Sequence, residues 1–332
     1  MNRPLLTVAF PLDASGRAVL AAELGETAEI SVLPDHDAAT RQAILRRTTI
    51  LLARNTGKEL LPGEAALLAG VRLIQFMTAG VDYIPLRDLP AEVPIACNGR
   101  AYAEPMAEHA VAMALAAAKR LFIEQRAMAG GAFNQFATNR MLSGGVCGIL
   151  GFGGIDIATA RLLRGFGMRI HAIRRSGRSE EPVDWIGTPD RLDEMLAAAD
   201  VLVLSLPLTN ATRGIIGARE LGLMKPDAIL INLARGEIVD ETALYQHLLR
   251  QPEFFACIDA WWIEPVRHGV FRMDQPFLDL PNVIGSPHNS ASVKGMREVA
   301  LSRAAANCRR VLDGLPTAYL IGADERAAAP EA

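Results

Sequence analysis

Short apolar runs alternate with amphipathic stretches along most of the chain. In the N-terminal third, Leu5–Phe10 reads as a strand, Ser15–Leu24 as a helix and Ile30–Leu33 as a second strand. Arg41–Arg46 is helix-like, Ile50–Ala53 reads as a third strand, Leu60–Ala69 as a helix and Leu73–Met77 as a fourth strand. This alternation predicts a parallel sheet with helices on its faces. A single long helix is predicted over Pro105–Phe122, with Pro105 near its start, where a missing N–H costs nothing. Ala, Met and Leu fill it almost all round, so most of its faces must be buried. One subunit alone arranges that with difficulty, and a subunit interface is expected there.

A second alternating series starts at Val146. Strands are predicted at Val146–Leu150, Met168–Ile173, Val201–Leu204, Ile229–Asn232, Phe255–Asp259 and Val283–Gly285. Helices are predicted at Ile155–Gly165, Arg191–Ala198 and Ala218–Leu223. A last helix, Val293–Leu312, is stopped by Gly314 and Pro316. The polar, Ala-rich tail after Ala323 is expected to fray.

The length of 332 residues exceeds one ordinary core and suits two domains. Half of the residues are hydrophobic and 21% are charged, the profile of a well-packed globular protein. A net charge of -3 without a long basic run argues against nucleic acid or an anionic membrane as partner. The cysteines at 97, 147, 257 and 308 lie far apart with no CxxC pair, as expected of free thiols in a reducing compartment. The apolar start Leu5–Phe10 is short and is followed by Pro11 and Asp13, unlike a signal peptide. The longest apolar stretch, around Ala110–Ala118, falls well below the roughly 20 residues of a membrane span. A cytoplasmic protein is expected. No HExxH or Cys/His cluster occurs, and His36, His171, His247 and His268 show no ligand pairing, so no metal is expected.

The run from Val146 to Asp156 passes from a strand pattern into a helix pattern through Gly151, Phe152, Gly153, Gly154 and Ile155. At such a junction the first glycine permits a tight turn, the second lets backbone approach a pyrophosphate, and the phosphates meet the helix N-terminus. The third fingerprint position, usually Gly or Ala, is Asp156. Its side chain is expected to crowd the helix–strand contact and to compete with the cofactor for N–H groups, weakening dinucleotide binding. The second strand of this series ends in Arg174, Arg175 and Ser176, with no acid before Glu180. An acid there would bond the ribose 2′-hydroxyl of NAD, whereas guanidinium suits the 2′-phosphate of NADP. NADP is the favoured cofactor and NAD the alternative.

Three short segments carry candidate chemistry: Ile231–Asp240 with Arg235, Asp259–Pro265 with Glu264, and Gly285–Ser290 with His288. Arg235 and His288 each follow a predicted strand, and Glu264 lies a few residues past one, where open α/β sheets bind ligands. Together with Thr78–Asp82, Ala107–His109, the glycine turn, Leu206–Thr209 and Met224–Pro226, these segments resemble the D-isomer-specific 2-hydroxyacid dehydrogenase family over nearly the whole chain. The resemblance places the family's Arg, Glu and His on Arg235, Glu264 and His288. Reducing a 2-oxo acid needs a hydride donor, a proton donor and a carboxylate clamp. The nicotinamide supplies the hydride. A histidine gives the proton near neutral pH, a neighbouring carboxylate favours its charged form, and an arginine holds the substrate's oxygens.

The resemblance implies more. Ala79, Gly80 and Val81 would receive the substrate carboxylate, with Arg235 and His288 completing that set. Asp259 would bond the nicotinamide carboxamide, and Pro207, Thr212 and Ala234 would flank the cofactor. Trp261 and Trp262 either wall the site or pack in the core, and His109 is taken as a helix-start or interface residue. The implied fold is α/β with two Rossmann-like domains. A flavodoxin-like substrate domain (1–101 and 286–332) would be interrupted by a dinucleotide-binding domain (102–285), with hinges at the crossings. The expected protein is a homodimeric oxidoreductase acting on a small 2-oxo or D-2-hydroxy acid. Two alternatives stay open: a dinucleotide-sensing, corepressor-like binding protein, and a phosphite-type dehydrogenase.

Overall fold

The computed structural model describes residues 3–328. The chain divides into two units, one formed by the chain up to Tyr102 and from Lys294 onward, the other by Ala103–Val293.

In the first unit β1 (Leu5–Val8), α1 (Ala14–Leu24), β2 (Glu29–Val32), α2 (Ala38–Arg47), β3 (Ile50–Ala53), α3 (Thr56–Glu59), β4 (Leu73–Phe76) and β5 (Ile95–Ala96) follow in turn. The five strands are all parallel, in the order β2-β1-β3-β4-β5. Each of β1, β3 and β4 is buried at every position, as a sheet covered on both faces requires. Asp13 and Asp37 start α1 and α2 by accepting the N–H groups of Gly16 and Thr40, each at 2.8 Å. The helix predicted over Leu60–Ala69 does not form. Gly63 takes a left-handed conformation (φ 82°) and only a 3-10 turn, Ala65–Leu68, follows. Glu64, 2% exposed, is held there by the Arg41 guanidinium at 2.6 and 2.9 Å and by the Leu61 N–H at 2.8 Å. A buried ion pair fixes this segment where apolar periodicity suggests a helix.

The second unit begins with α4 (Ala103–Ala118) and α5 (Leu121–Ala129). These replace the single helix predicted over Pro105–Phe122, because Arg120 adopts φ 52° and ends the first helix. Helix α4 packs on α6 (Gly154–Gly165) and on the strands β10 (Ile229–Asn232) and β11 (Phe255–Ile258). Its alanines at 107, 110, 114, 117 and 118 are buried there. Small side chains let the backbones approach, so most of this helix's apolar positions are buried inside its own unit, while Ala112 stays exposed. Helix α5 buries none of its residues.

The remaining elements are β6 (Val146–Leu150), β7 (Arg169–Ile173), β8 (Trp185–Gly187), α7 (Leu192–Ala198), β9 (Val201–Leu204), α8 (Ala218–Leu223), α9 (Glu241–Arg250), α10 (Pro265–His268) and β12 (Val283–Gly285). The seven strands run parallel in the order β12-β11-β10-β9-β6-β7-β8. The order reverses at β6, the switch point at which doubly wound sheets bind nucleotides. Back in the first unit, α11 (Met296–Leu312) starts after Gly295 (φ 79°), three residues later than predicted, and packs on α1. Of the tail expected to fray, Ala323–Ala328 forms α12, and 329–332 lie outside the described residues. No helix among the described residues is long and apolar enough to cross a membrane.

Candidate active site

The carboxyl ends of the second unit's strands carry the residues that matter. Between β6 and α6 the chain turns at Gly151, whose φ of 99° excludes most side chains. A Cβ there would also meet Leu206 and the Asp156 carboxylate at 3.5 Å. Asp156 therefore fills the space beneath the turn. It is 2% exposed, accepts the Gly153 N–H at 2.7 Å through one oxygen and the Ser205 hydroxyl through the other. Burial pushes its carboxyl above the usual aspartate value, against the pull of Ser205 and Gly153. The expected crowding of the helix–strand contact does not occur, because the side chain is folded under the turn and ties the end of β6 to the end of β9. The Gly153 N–H is taken by this carboxylate. The first N–H groups of a helix lack partners within it, so those of Gly154 and Ile155 would meet a pyrophosphate. Phe152, 3% exposed, supports the turn from inside. These features fit a dinucleotide.

Beyond β7, Arg174, Arg175 and Ser176 lie exposed. The Arg174 guanidinium and the Ser176 hydroxyl both bond the Arg178 carbonyl, at 3.3 Å. After β9, the Thr212 hydroxyl donates to the Pro207 carbonyl at 2.7 Å and accepts the Thr209 N–H at 2.8 Å, which closes that loop on itself.

After β10, buried Asn232 accepts the Ala234 N–H at 3.0 Å and donates to the Arg235 carbonyl at 2.9 Å. Ala234 is 5% exposed, and its carbonyl takes the Arg235 guanidinium at 2.7 Å. The next residue, Gly236, presses on the backbone between Trp261 and Trp262; a Cβ there would lie 2.4 Å from both the Trp261 carbonyl carbon and the Trp262 nitrogen. This contact brings the Arg235 loop against the segment that bears Glu264.

His288 follows β12 in a left-handed conformation (φ 49°). Its Nδ1 lies 2.9 and 2.8 Å from the two Glu264 oxygens. Glu264, 6% exposed, also accepts the Trp261 N–H at 2.7 Å. Burial alone would raise its carboxyl, but the hydrogen bond and charge of His288, the Trp261 N–H and the Arg235 charge hold it below the usual glutamate value. The carboxylate accepts the Nδ1–H hydrogen bond, so Nε2 is the ring nitrogen left to face a reactant, on a side chain 36% exposed.

Asp259 is fully buried. Its Oδ1 accepts the Ser286 hydroxyl at 2.5 Å and the Asn289 N–H at 3.1 Å, and its Oδ2 accepts the Ser290 N–H at 3.4 Å. A nicotinamide carboxamide, which the resemblance implies as its partner, would share these oxygens. Trp261, 4% exposed, donates to the Ser286 carbonyl at 2.8 Å, and Trp262 donates to the Val239 carbonyl at 2.8 Å and stacks on Phe277. Both tryptophans belong to the packing that carries the loops. Ala79, Gly80 and Val81 lie beyond β4 in the other unit, where Val81 is 3% exposed. Two features escaped sequence reasoning: the closeness that requires Gly236, and the bond of His109 to Ser286. Each is a contact between residues far apart in sequence.

A dinucleotide turn and a paired histidine at the carboxyl edge of one parallel sheet define a class of nucleotide-binding α/β protein. The family described as D-isomer specific 2-hydroxyacid dehydrogenase, NAD binding domain, matches residues 111–290, more than half of the chain, and the chain belongs to it. A glyoxylate reductase of Thermococcus gammatolerans is 40% identical over 155 residues, covering 47% of this chain and 45% of that one. A glyoxylate/hydroxypyruvate reductase B of Pectobacterium carotovorum subsp. carotovorum is 34% identical over 216 residues, covering 64% and 66%. The chain thus spans less than two thirds of the length of either curated relative. The crystal structure of a D-isomer specific 2-hydroxyacid dehydrogenase family protein from Aeromonas salmonicida subsp. salmonicida is similar with a TM-score of 0.76 and 26% identity, covering 97% of this chain and 99% of that one.

Proposed function

We propose that this chain interconverts a small 2-oxo acid and its D-2-hydroxy acid with a nicotinamide dinucleotide. The observation that carries this reading is the His288–Glu264 pair, 2.8 Å apart, on the same sheet edge as the glycine turn. When bound, the nicotinamide supplies or takes the hydride. In reduction, His288 gives the Nε2 proton to the carbonyl oxygen, and Glu264 holds the ring by Nδ1 so that Nε2 faces the substrate. Arg235 grips the substrate carboxylate and steadies charge growing on the carbonyl oxygen. Ala79, Gly80 and Val81, which the resemblance implies, are proposed as further substrate residues acting through their backbone N–H groups. This assigns the substrate role to the unit containing β1–β5 and the dinucleotide role to the unit containing the glycine turn.

NADP is the proposed cofactor in preference to NAD. Exposed Arg174, Arg175 and Ser176 at the end of β7, with no acid before Glu180, support it. The proposed assembly is a homodimer. Its support is the surface that follows α4: Leu121, Phe122, Met128, Phe133, Phe136 and Met141 are all exposed, Phe136 to 92%.

The test follows nicotinamide absorbance with NADPH and NADH against glyoxylate, hydroxypyruvate, pyruvate and a bulky aryl 2-oxo acid. Turnover, faster with NADPH, is expected. Tight dinucleotide binding without turnover on any of them would overturn the reading in favour of a dinucleotide-sensing binding protein.

A further inference from the structure

His109 on α4 has no part in the reading above, yet it ends a chain of hydrogen bonds that reaches the loop bearing His288. Its Nε2 lies 3.0 Å from the Ser286 hydroxyl oxygen and 3.8 Å from Asp259 Oδ1. A hydroxyl has one proton, and the 2.5 Å contact of Ser286 with the Asp259 carboxylate uses it. The Ser286 oxygen therefore presents only lone pairs to His109, which fixes His109 as an Nε2–H donor. Asp259 then distributes the effect. Besides Ser286, its carboxylate holds the Asn289 and Ser290 N–H groups, and its carbonyl holds the His288 N–H at 3.0 Å. Four bonds to one residue wrap the loop around Asp259 on both sides of His288, whose φ of 49° lies in the left-handed region that few non-glycine residues occupy.

We propose that His109 is a positioning residue for the 286–290 loop: through Ser286 it orients the Asp259 carboxylate, which holds His288 in the conformation that meets Glu264. The functional consequence rests on the role given to His288 above, whereas the ordering of the loop does not.

Two variants separate the hydrogen bond from packing. His109→Phe keeps a ring of similar size without the N–H, and His109→Gln restores a donor near the same place. For His109→Phe, kcat is expected to fall about tenfold, the size of one lost hydrogen bond. The amides of Asn289 and Ser290 are expected to exchange faster with solvent deuterium, and the melting temperature to move by only about 2 °C. His109→Gln should recover both kcat and amide protection. Unchanged kcat and protection in His109→Phe would overturn the proposal, as would a His109→Gln variant as impaired as His109→Phe. A wild-type protein that turns over no 2-oxo acid would sink the proposed activity, and amide exchange in the two variants would still decide the ordering of the loop.

Discussion

The pair of His288 and Glu264 is an acid-sensitive unit. Glu264 titrates below its usual value of 4.5 in the folded chain. A lowered carboxyl contributes stability that is complete above the unfolded value and disappears as pH falls through the folded one. Glu264→Gln should therefore be less stable than wild type at neutral pH, by about 1–3 kcal/mol, and the gap should close below pH 4.5 in urea unfolding at a series of pH values. The same variant should lose turnover by about 10²-fold or more, since its amide no longer holds a charged ring. Asp156 has the opposite sign. Its raised carboxyl binds a proton more tightly in the folded state, so its contribution is complete below the unfolded value of 3.8 and is lost as pH rises through the folded value. An asparagine can accept the Gly153 N–H and donate to Ser205 without charge. Asp156→Asn should be as stable as wild type or more so at neutral pH, and a dinucleotide titration should show tighter binding. Weaker binding would mean that the carboxylate supports the turn as an anion.

At the scale of elements, the buried strands were the most legible. Ile50–Ala53, Val146–Leu150, Val201–Leu204 and Ile229–Asn232 form as predicted, since a strand covered on both faces is a continuous apolar run. The short strands Ile95–Ala96 and Trp185–Gly187 and the helix Glu241–Arg250 were not picked out. Two or three residues carry no periodicity, and α9 buries only Leu244 and Leu248 fully. The break at Arg120 was invisible because a lone left-handed arginine leaves no compositional mark. Gly236 shows the limit most clearly. In sequence it is one glycine after an arginine, and in the structure it is the contact that joins two site loops. Gly236→Ala places a methyl in the Trp261–Trp262 backbone and should cost about 3 kcal/mol, the upper end for over-packing, read as a lowered melting temperature. An unchanged melt would show that the two loops separate freely.

For the whole molecule, the apolar surface that supports self-association lies after α4. Most of apolar α4 is buried within its own unit against α6, β10 and β11, while α5 and the stretch to Met141 leave large side chains in water. Sedimentation should find a dimer that Phe133→Asp with Phe136→Asp converts to monomer; a monomeric wild type would remove this assembly. The sequence by itself determined the parallel α/β series, the glycine turn at a strand–helix junction and the order of the motifs containing Arg235, Glu264 and His288. Those are properties of neighbouring residues, written in periodicity and spacing. Only the tertiary structure decided that Asp156 folds beneath its turn, that Gly236 admits no side chain, and that His109 reaches the loop of His288 through Ser286. Each of these depends on atoms more than three residues apart meeting at a few ångströms, or on burial that only packing creates, and local pattern encodes neither.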